Sequence, residues 1–367
     1  MKIQKLTVWH VPLTSHQIYY MGANKTADTV TSVVLQIATD DGHVGWGEVC
    51  PLPHYFAAYA DGVVPALAEF ADVLLGAEMN APEAIMARLD RHLIGHDYAK
   101  SIVDMALWDL MAKSLNVPLY MLLGGLQSNR LPLYHSITCV DPAQMGEIAK
   151  LAYAGGVRQF QARLGADNNW RADVERLAVV REVVGPRALV FGDWSSSAST
   201  LTATRVAREV SGMDVMIEQP CKTIAECKQV RAATGLPMKL DEAVYDIDTM
   251  IKAHREGCLD ALALKLSKFG GLSASRRARD LAVHLGIQLC IEDTWGSDIT
   301  TAACLHLAAS TPRQSLLNTC DLSGYVNPRI DQYAPTREQG EMIPPGAPGL
   351  GVEPEMDILG DPIAVLD

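Results

Sequence analysis

Four residues, Asp193, Glu218, Asp241 and Lys265, follow one another at spacings of 25, 23 and 24, and each closes a short apolar run. The runs are Ala188-Leu189-Val190-Phe191-Gly192, Val215-Met216-Ile217, Pro237-Met238-Lys239-Leu240 and Ala261-Leu262-Ala263-Leu264. One acid where a buried strand meets a loop means little, because Asp and Glu commonly cap the helix that follows. Three in consecutive units are different. Brought together they repel unless a cation neutralises them, and hard oxygen ligands with room for water suit Mg²⁺. A lysine inside an apolar strand is costly to bury. Its bland reading is a snorkelling surface side chain, which fits Lys268 better than Lys265. Beside a metal, desolvation and positive charge both lower the pKa of an ammonium, so Lys265 reads as a general base.

The elements that must position these residues follow from the same rhythm. After Leu131 short apolar runs alternate with longer amphipathic stretches, the pattern of repeated strand-helix units. Strands are expected at 131–137, 159–164, 188–193, 215–218, 238–241, 261–265, 288–292 and 315–319. Eight strands suggest a closed parallel barrel, whose carboxyl ends all point to one face and bring distant residues together. An open doubly wound sheet is the rival, but no G-x-G-x-x-G follows a strand. Before the barrel, two extended runs joined by a turn at Asp41-Gly42 predict an antiparallel sheet, and residues 63–123 take helical spacing up to the stop at Leu123-Gly124-Gly125. The expected division is an α+β capping domain over 1–130, a modified TIM barrel over 131–325, and a Pro/Gly-rich segment over 326–367 that returns to the cap.

Composition narrows the partners. The chain has 367 residues, 49% hydrophobic, and a net charge of -12 from 31 basic and 43 acidic side chains. With no basic run it lacks the electrostatic footprint for nucleic acid or an anionic membrane. No apolar stretch approaches spanning length, and the start turns polar before a signal-type core develops, so a cytoplasmic protein is expected. The eight cysteines carry no C-x-x-C spacing and read as reduced, with Cys290 and Cys320 as small buried hydrophobes.

Taken in order, Asp193, Glu218-Gln219-Pro220, Asp241-Glu242 and Lys265 followed by Gly270-Gly271, with Gly45-Trp46-Gly47-Glu48 and Ala99-Lys100-Ser101 upstream, resemble the muconate lactonizing subgroup of the enolase superfamily. The similarity runs to the terminal Pro348-Gly349-Leu350-Gly351. It implies a (β/α)7β TIM-type barrel under an N-terminal α+β cap, a Mg²⁺ held by three acids, an enediolate formed from a small carboxylate substrate, and a homo-oligomer. Glu292-Asp293-Thr294-Trp295 and Pro53-His54-Tyr55 are most similar to enzymes acting on hydroxyproline betaine and related proline derivatives, a 2-epimerase and a cis-3-hydroxyproline dehydratase among them. The substrate-facing set is then Tyr20, His54, Tyr55, Asp293, Trp295 and Asp321, with the segment from Thr14 to Met21 at the position of a mobile lid.

The chain departs from that family in the second barrel strand. Where K-x-K is usual it has Gln161-Ala162-Arg163, and a guanidinium is a poor proton acceptor. One effective base favours elimination, with Arg163 as the group on the opposite face; two would make an epimerase. Asp321 replaces an aromatic residue of the betaine enzymes and is expected to pair with a protonated amine. A sugar-acid dehydratase loses its usual base, since no histidine lies between Gln288 and Thr301. A non-catalytic metal-binding barrel is the reading of another class.

Overall fold

The computed structural model describes residues 1–79 and 81–367, so of the helical stretch expected over 63–123 only Asn80 lies outside the described residues. The first unit is antiparallel. β1 (Ile3–Met21) pairs with β2 (Lys25–Thr39), and β2 pairs with β3 (Val44–Val49) across the Asp41-Gly42 turn. Leu6, Val8, Leu35 and Ile37 share one face and pack on helices α1 (Ala60–Leu74), α2 (Pro82–His92) and α3 (Asp97–Ser114), while Trp9, Val11 and Val34 on the other face are buried in the core of the second unit. Gly45 and Gly47 let α3 lie directly on β3, for a Cβ at either would meet a helix carbonyl oxygen at 2.2 or 2.0 Å. The segment from Thr14 to Met21, expected as a lid, is the end of this long hairpin. Its register shifts between Thr14 and Tyr19, and Cys139 N donates to Tyr20 O at 2.9 Å, tying it to the next unit.

The second unit begins with α4 (Leu119–Leu122), the two-residue strand β4 (Leu131–Pro132) and β5 (His135–Ile137). Seven helix crossovers follow. In order they run α5 (Pro142–Ala154), β6 (Gln159–Arg163), α6 (Trp170–Val184), β7 (Leu189–Asp193), α7 (Thr200–Glu209), β8 (Met216–Glu218), α8 (Ile224–Thr234) and β9 (Met238–Leu240). Then come α9 (Ile247–Arg255), β10 (Ala261–Lys265), α10 (Leu266–Phe269), α11 (Leu272–Leu285), β11 (Gln288–Glu292), α12 (Asp298–Ala309) and β12 (Leu316–Thr319). Asn169, Ser199, Thr223 and Asp246 cap α6 to α9 through their side chains, which fixes where each loop ends and its helix begins.

β5 to β12 form one eight-stranded parallel sheet in sequence order, curled so that Leu133 and Thr319 at its two ends form a parallel bridge. Nearly every apolar strand residue is buried, the pattern of a parallel sheet covered on both faces. The tail comes back: β13 (Val326–Asn327) pairs with Thr14 and Ser15, and β15 (Ala364–Leu366) pairs with Leu6 to Val8, while β14 (Glu341–Met342) pairs with β4 and α13 (Met356–Leu359) lies between. All eight cysteines are free and buried, Cys290 and Cys320 among them. Among the described residues no helix is long and apolar enough to cross a membrane.

Candidate active site

Register brings the chemistry to one rim. Cα pairing sets Arg163 beside Asp193, Asp193 beside Glu218, and Glu218 beside Lys239, while Lys265 lies beside Glu292. The loops leaving these strands are held tightly. Ser195, Ser196 and Gln219 adopt left-handed backbone at φ 47°, 66° and 31°, strain that costs on the order of 1 kcal/mol each and collects at functional sites. Local bonds hold it in place: Ser195 N donates to Asp193 Oδ1 at 2.7 Å, and Gln219 Oε1 accepts from Asp241 N at 2.7 Å.

Each of the three acids meets a protein cation. Arg163 Nη1 donates to Asp193 Oδ2, and the same guanidinium donates to Ser195 Oγ and, from Nε, to Ser136 Oγ, both at 3.1 Å. Lys239 Nζ lies 2.9 Å from Glu218 Oε1, and Gln161 Nε2 donates to Glu218 Oε2 at 2.8 Å. Lys265 pairs with Asp241 Oδ2 and lies 3.6 Å from Glu292 Oε1. Lys268 corrects the sequence reading. It is 3% exposed, not a surface ammonium, and donates to Asp241 Oδ1, Asp241 O and Ala263 O at 2.9, 2.7 and 3.0 Å. A strand-end lysine and one three residues on share a carboxylate because the short α10 folds back over the strand.

The electrostatics follow from burial and these pairs. Burial depresses Lys265, but Asp241, Glu292 and Glu242 outweigh it and hold the ammonium well above the lysine range. Lys268 is lowered, by burial and then by Lys265. Burial raises Arg163's cost of charge, yet Asp193 keeps it protonated far beyond neutral pH, so it takes no proton. Glu218 is pushed up to about 7 by burial, against Lys239 and with Asp193, Glu292 and Asp241 adding to the rise. Glu242 rises to about 8 by burial and by Asp241 and Asp193. Among the described residues no three acids, histidines or cysteines form a ready-made metal cage, since each acid is drawn toward its own cation. The donor set nevertheless suits a hard cation: it is all carboxylate, and the buried Oε1 atoms of Glu218 and Glu242 make no directed hydrogen bond.

Next to the acids lies a small cavity of about 40 Å³ of space for water, bounded by Lys265, Arg163, Gln161, Ser136, Glu292 and Asp293 and by aromatic walls. Tyr19 stands edge-on to Trp295 and to Tyr325, with centroids 5.5 and 5.7 Å away and planes at 71° and 78°. The substrate-facing set expected from sequence divides here. Asp293 and Trp295 line the cavity, Asp293 also accepting from Ser267 N and Oγ at 3.0 and 2.8 Å, and burial lifts its carboxyl to about 6. Tyr55 is half-buried with its hydroxyl on Met21 Sδ, and His54 is exposed. Tyr20 is 41% exposed, and its neighbour Tyr19 forms the wall instead, because successive residues of a strand face opposite sides. Asp321 is buried outside the cavity lining, its Oδ2 held by Arg337 Nε at 2.6 Å and its Oδ1 by Gly324 N at 2.8 Å, so the expected amine pairing is already taken by an arginine. Sequence reasoning passed over Tyr19, Tyr134, Tyr325 and Lys239. Lys239 carried the signal that singled out Lys265, a charge inside an apolar strand.

Two family models match the chain, one described as the mandelate racemase / muconate lactonizing enzyme N-terminal domain over residues 3–124, the other as enolase C-terminal domain-like over residues 144–358. Among similar proteins is a cis-3-hydroxy-L-proline dehydratase of Roseibium aggregatum, 38% identical with 99% of each chain covered. An N-succinyl-L-Arg/Lys racemase of Bacillus cereus is 28% identical over 88% of each chain. Of solved structures, an enolase-superfamily member from Roseovarius nubinhibens complexed with magnesium is 32% identical, with a TM-score of 0.94 over 100% of this chain and 99% of that one.

Proposed function

This chain belongs to the mandelate racemase and muconate lactonizing enzyme family of the enolase superfamily, and from that premise we propose that it is a lyase that removes water from an amino acid such as a hydroxyproline derivative. In this reading the curled parallel sheet is a (β/α)7β barrel over 131–325, capped by 1–130, with 326–367 returning to the cap; the Leu133–Thr319 bridge and the pairing of β13 and β15 on β1 support it. Asp193, Glu218 and Asp241 would hold a Mg²⁺, whose chemistry when bound is to offset charge growing on the substrate carboxylate. With Asp241 drawn off to the metal, Lys265 would lose the first of the carboxylates that hold it charged; as the free amine, its Nζ takes the proton from the α-carbon, and the C–H electron pair moves into the carboxylate as an enediolate. The pair then returns to form a Cα–Cβ double bond, and the β-hydroxyl leaves as water with the proton Lys265 had taken.

The observation that carries elimination over epimerisation is the pairing of one lysine and one arginine across the cavity. Arg163, on the cavity wall, bonds to Asp193, Ser195 and Ser136 and stays charged, so it orients a carboxylate and delivers no proton. Asp293 and Trp295 are read as facing the substrate nitrogen and ring. The test is to incubate cis-3-hydroxyproline and other proline derivatives with Mg²⁺ and enzyme in heavy water, following the α-hydrogen and the products by NMR. Loss of water with the α-proton is expected. Inversion at the α-carbon with the hydroxyl retained would restore the epimerase, the reading that racemase relatives favour.

A further inference from the structure

Of the rim cations, Lys239 and Lys268 are buried off the cavity lining, and Lys239, fully buried in β9, is the one that answers Glu218. Its Nζ lies 2.9 Å from Glu218 Oε1, its one ion-pair partner among the described residues, and faces the rings of Phe191 at 4.6 Å and Tyr134 at 5.3 Å. Neither Nζ nor Oε1 is aligned for a directed hydrogen bond, so what joins them is charge. Arg163 and Lys265 stand on the cavity wall and can turn from their acids to a substrate. Lys239 does not reach the cavity, and leaving Glu218 would take the ammonium from its one ion-pair partner toward the Phe191 and Tyr134 rings, with Glu292 the other carboxylate that feels its charge.

Resting on the reading that Asp193, Glu218 and Asp241 hold the metal, we propose that Lys239 is a fixed counter-charge of that site, a positioning residue that selects the valence of the ion. Three carboxylates alone present three negative charges. Each ammonium that cannot leave its acid removes one of these, Lys268 at Asp241 and Lys239 at Glu218, so losing Lys239 returns one negative charge to the set and shifts it toward ions of higher valence. A donor set of higher net charge favours more highly charged cations, and in a buried site the difference is large. Gln161, neutral, occupies the other oxygen of the same carboxylate, so a lysine there would return the missing charge from the opposite side.

The test is cation affinity in the full chain after stripping with a chelator, with Mg²⁺ followed by calorimetry and Tb³⁺ by luminescence at one pH and salt. Lys239→Met keeps the volume and removes the charge. Its Tb³⁺-over-Mg²⁺ preference should rise roughly tenfold or more, and Gln161→Lys added to it should bring the preference back to within about threefold of the parent. A folded Lys239→Met protein with the parent's preference overturns the proposal, and so does a folded double variant that keeps the raised preference. Where Lys239→Met alone does not fold, the double variant decides: a fold with the parent's preference supports the charge role, and failure to fold overturns it. A parent that binds neither ion, or that binds equally after Asp193→Asn and Glu218→Gln, overturns the ligand set and the proposal with it, a result distinct from an unchanged preference in a chain that binds.

Discussion

Two sets of buried carboxylates do opposite work in this molecule. At the rim, Asp193, Glu218 and Asp241 are answered by cations: Arg163, Lys239, and the pair Lys265 and Lys268. At the seam between the two units, acids are answered by backbone. Glu48 on β3 accepts from Ser297 N, Thr300 N and Thr300 Oγ at 2.7, 2.8 and 2.9 Å, at the start of α12. Asp104 on α3 accepts from Ser273 N and Oγ at 2.6 and 2.7 Å, at the start of α11. Asp109 on α3 accepts from Leu350 N and Trp46 N at 2.7 and 2.9 Å, with Lys113 beside it. A side-chain cation can be traded for a metal or a substrate. A helix amide cannot, so the seam is fixed where the cavity-wall cations of the rim, Arg163 and Lys265, are exchangeable. Glu48 and Asp104 bond to the starts of the helices that follow Asp293 and Lys265, so they hold the cap over the two strands that carry the proposed base and pocket wall.

The largest expected effect separates the two sets by rate. Lys265→Ala should slow α-proton exchange by about 10²–10⁴-fold while thermal unfolding stays close to the parent's. If the variant exchanged as fast as the parent, the base would be another group. At the seam the balance reverses. Glu48→Ala removes the acceptor of two amides and of two hydroxyls, Ser32 and Thr300, and should cost roughly 3 kcal/mol in denaturant unfolding. A loss under about 1 kcal/mol would mean that the seam relaxes around the missing acid and is not fixed.

A pH experiment sharpens the same contrast. Burial raises the Asp104 carboxyl to about 7, against the bonds from Ser273. Its folded value thus lies above the ordinary 3.8, so the folded chain holds a proton that the unfolded chain releases. The contribution of this group to stability is fully present below about 4 and is lost as pH rises to about 7, where one proton's worth of slope is about 1.4 kcal/mol per pH unit. Asp104→Asn cannot titrate. Between about pH 4 and 7 its unfolding free energy should fall less steeply than the parent's, and equal slopes would remove Asp104 as the source.

How much of this was legible in the sequence depends on what each residue answers to. The rim acids and Lys265 stood out because a charge that ends an apolar run breaks a pattern, and regular spacing multiplied the signal. Strands β10 and β11 fell where their patterns put them, and the 131–137 run broke in two because Pro132 and the chain's turn onto β14 leave only 135–137 for the parallel sheet. The seam was not legible. Glu48 and Asp104 sit in ordinary strand and helix text, and their partners lie 249 and 169 residues away. Nor was the fate of Asp321, for Arg337 is drawn to it by the path of the returning tail and by no local pattern.

The smallest effect expected falls on the hairpin that reaches from the seam to the rim, where one residue of register decides the outcome. Tyr19 and Tyr20 are the same side chain in adjacent positions, and composition cannot choose between them. The register shift after Thr14 does choose: Tyr19 pairs with Ala27 and turns inward onto Trp295 and Tyr325, and Tyr20 pairs with Thr26 and turns out. Tyr19→Ser removes two edge-on aromatic contacts from the cavity wall and should raise KM about tenfold. Tyr20→Ser removes an exposed ring and should leave KM within about twofold, because the bonds that tie this hairpin to the barrel run through its backbone and survive the change. Equal effects from the two would mean that the hairpin slips by one residue when substrate binds, and that this edge of the rim is as exchangeable as the cations beside it.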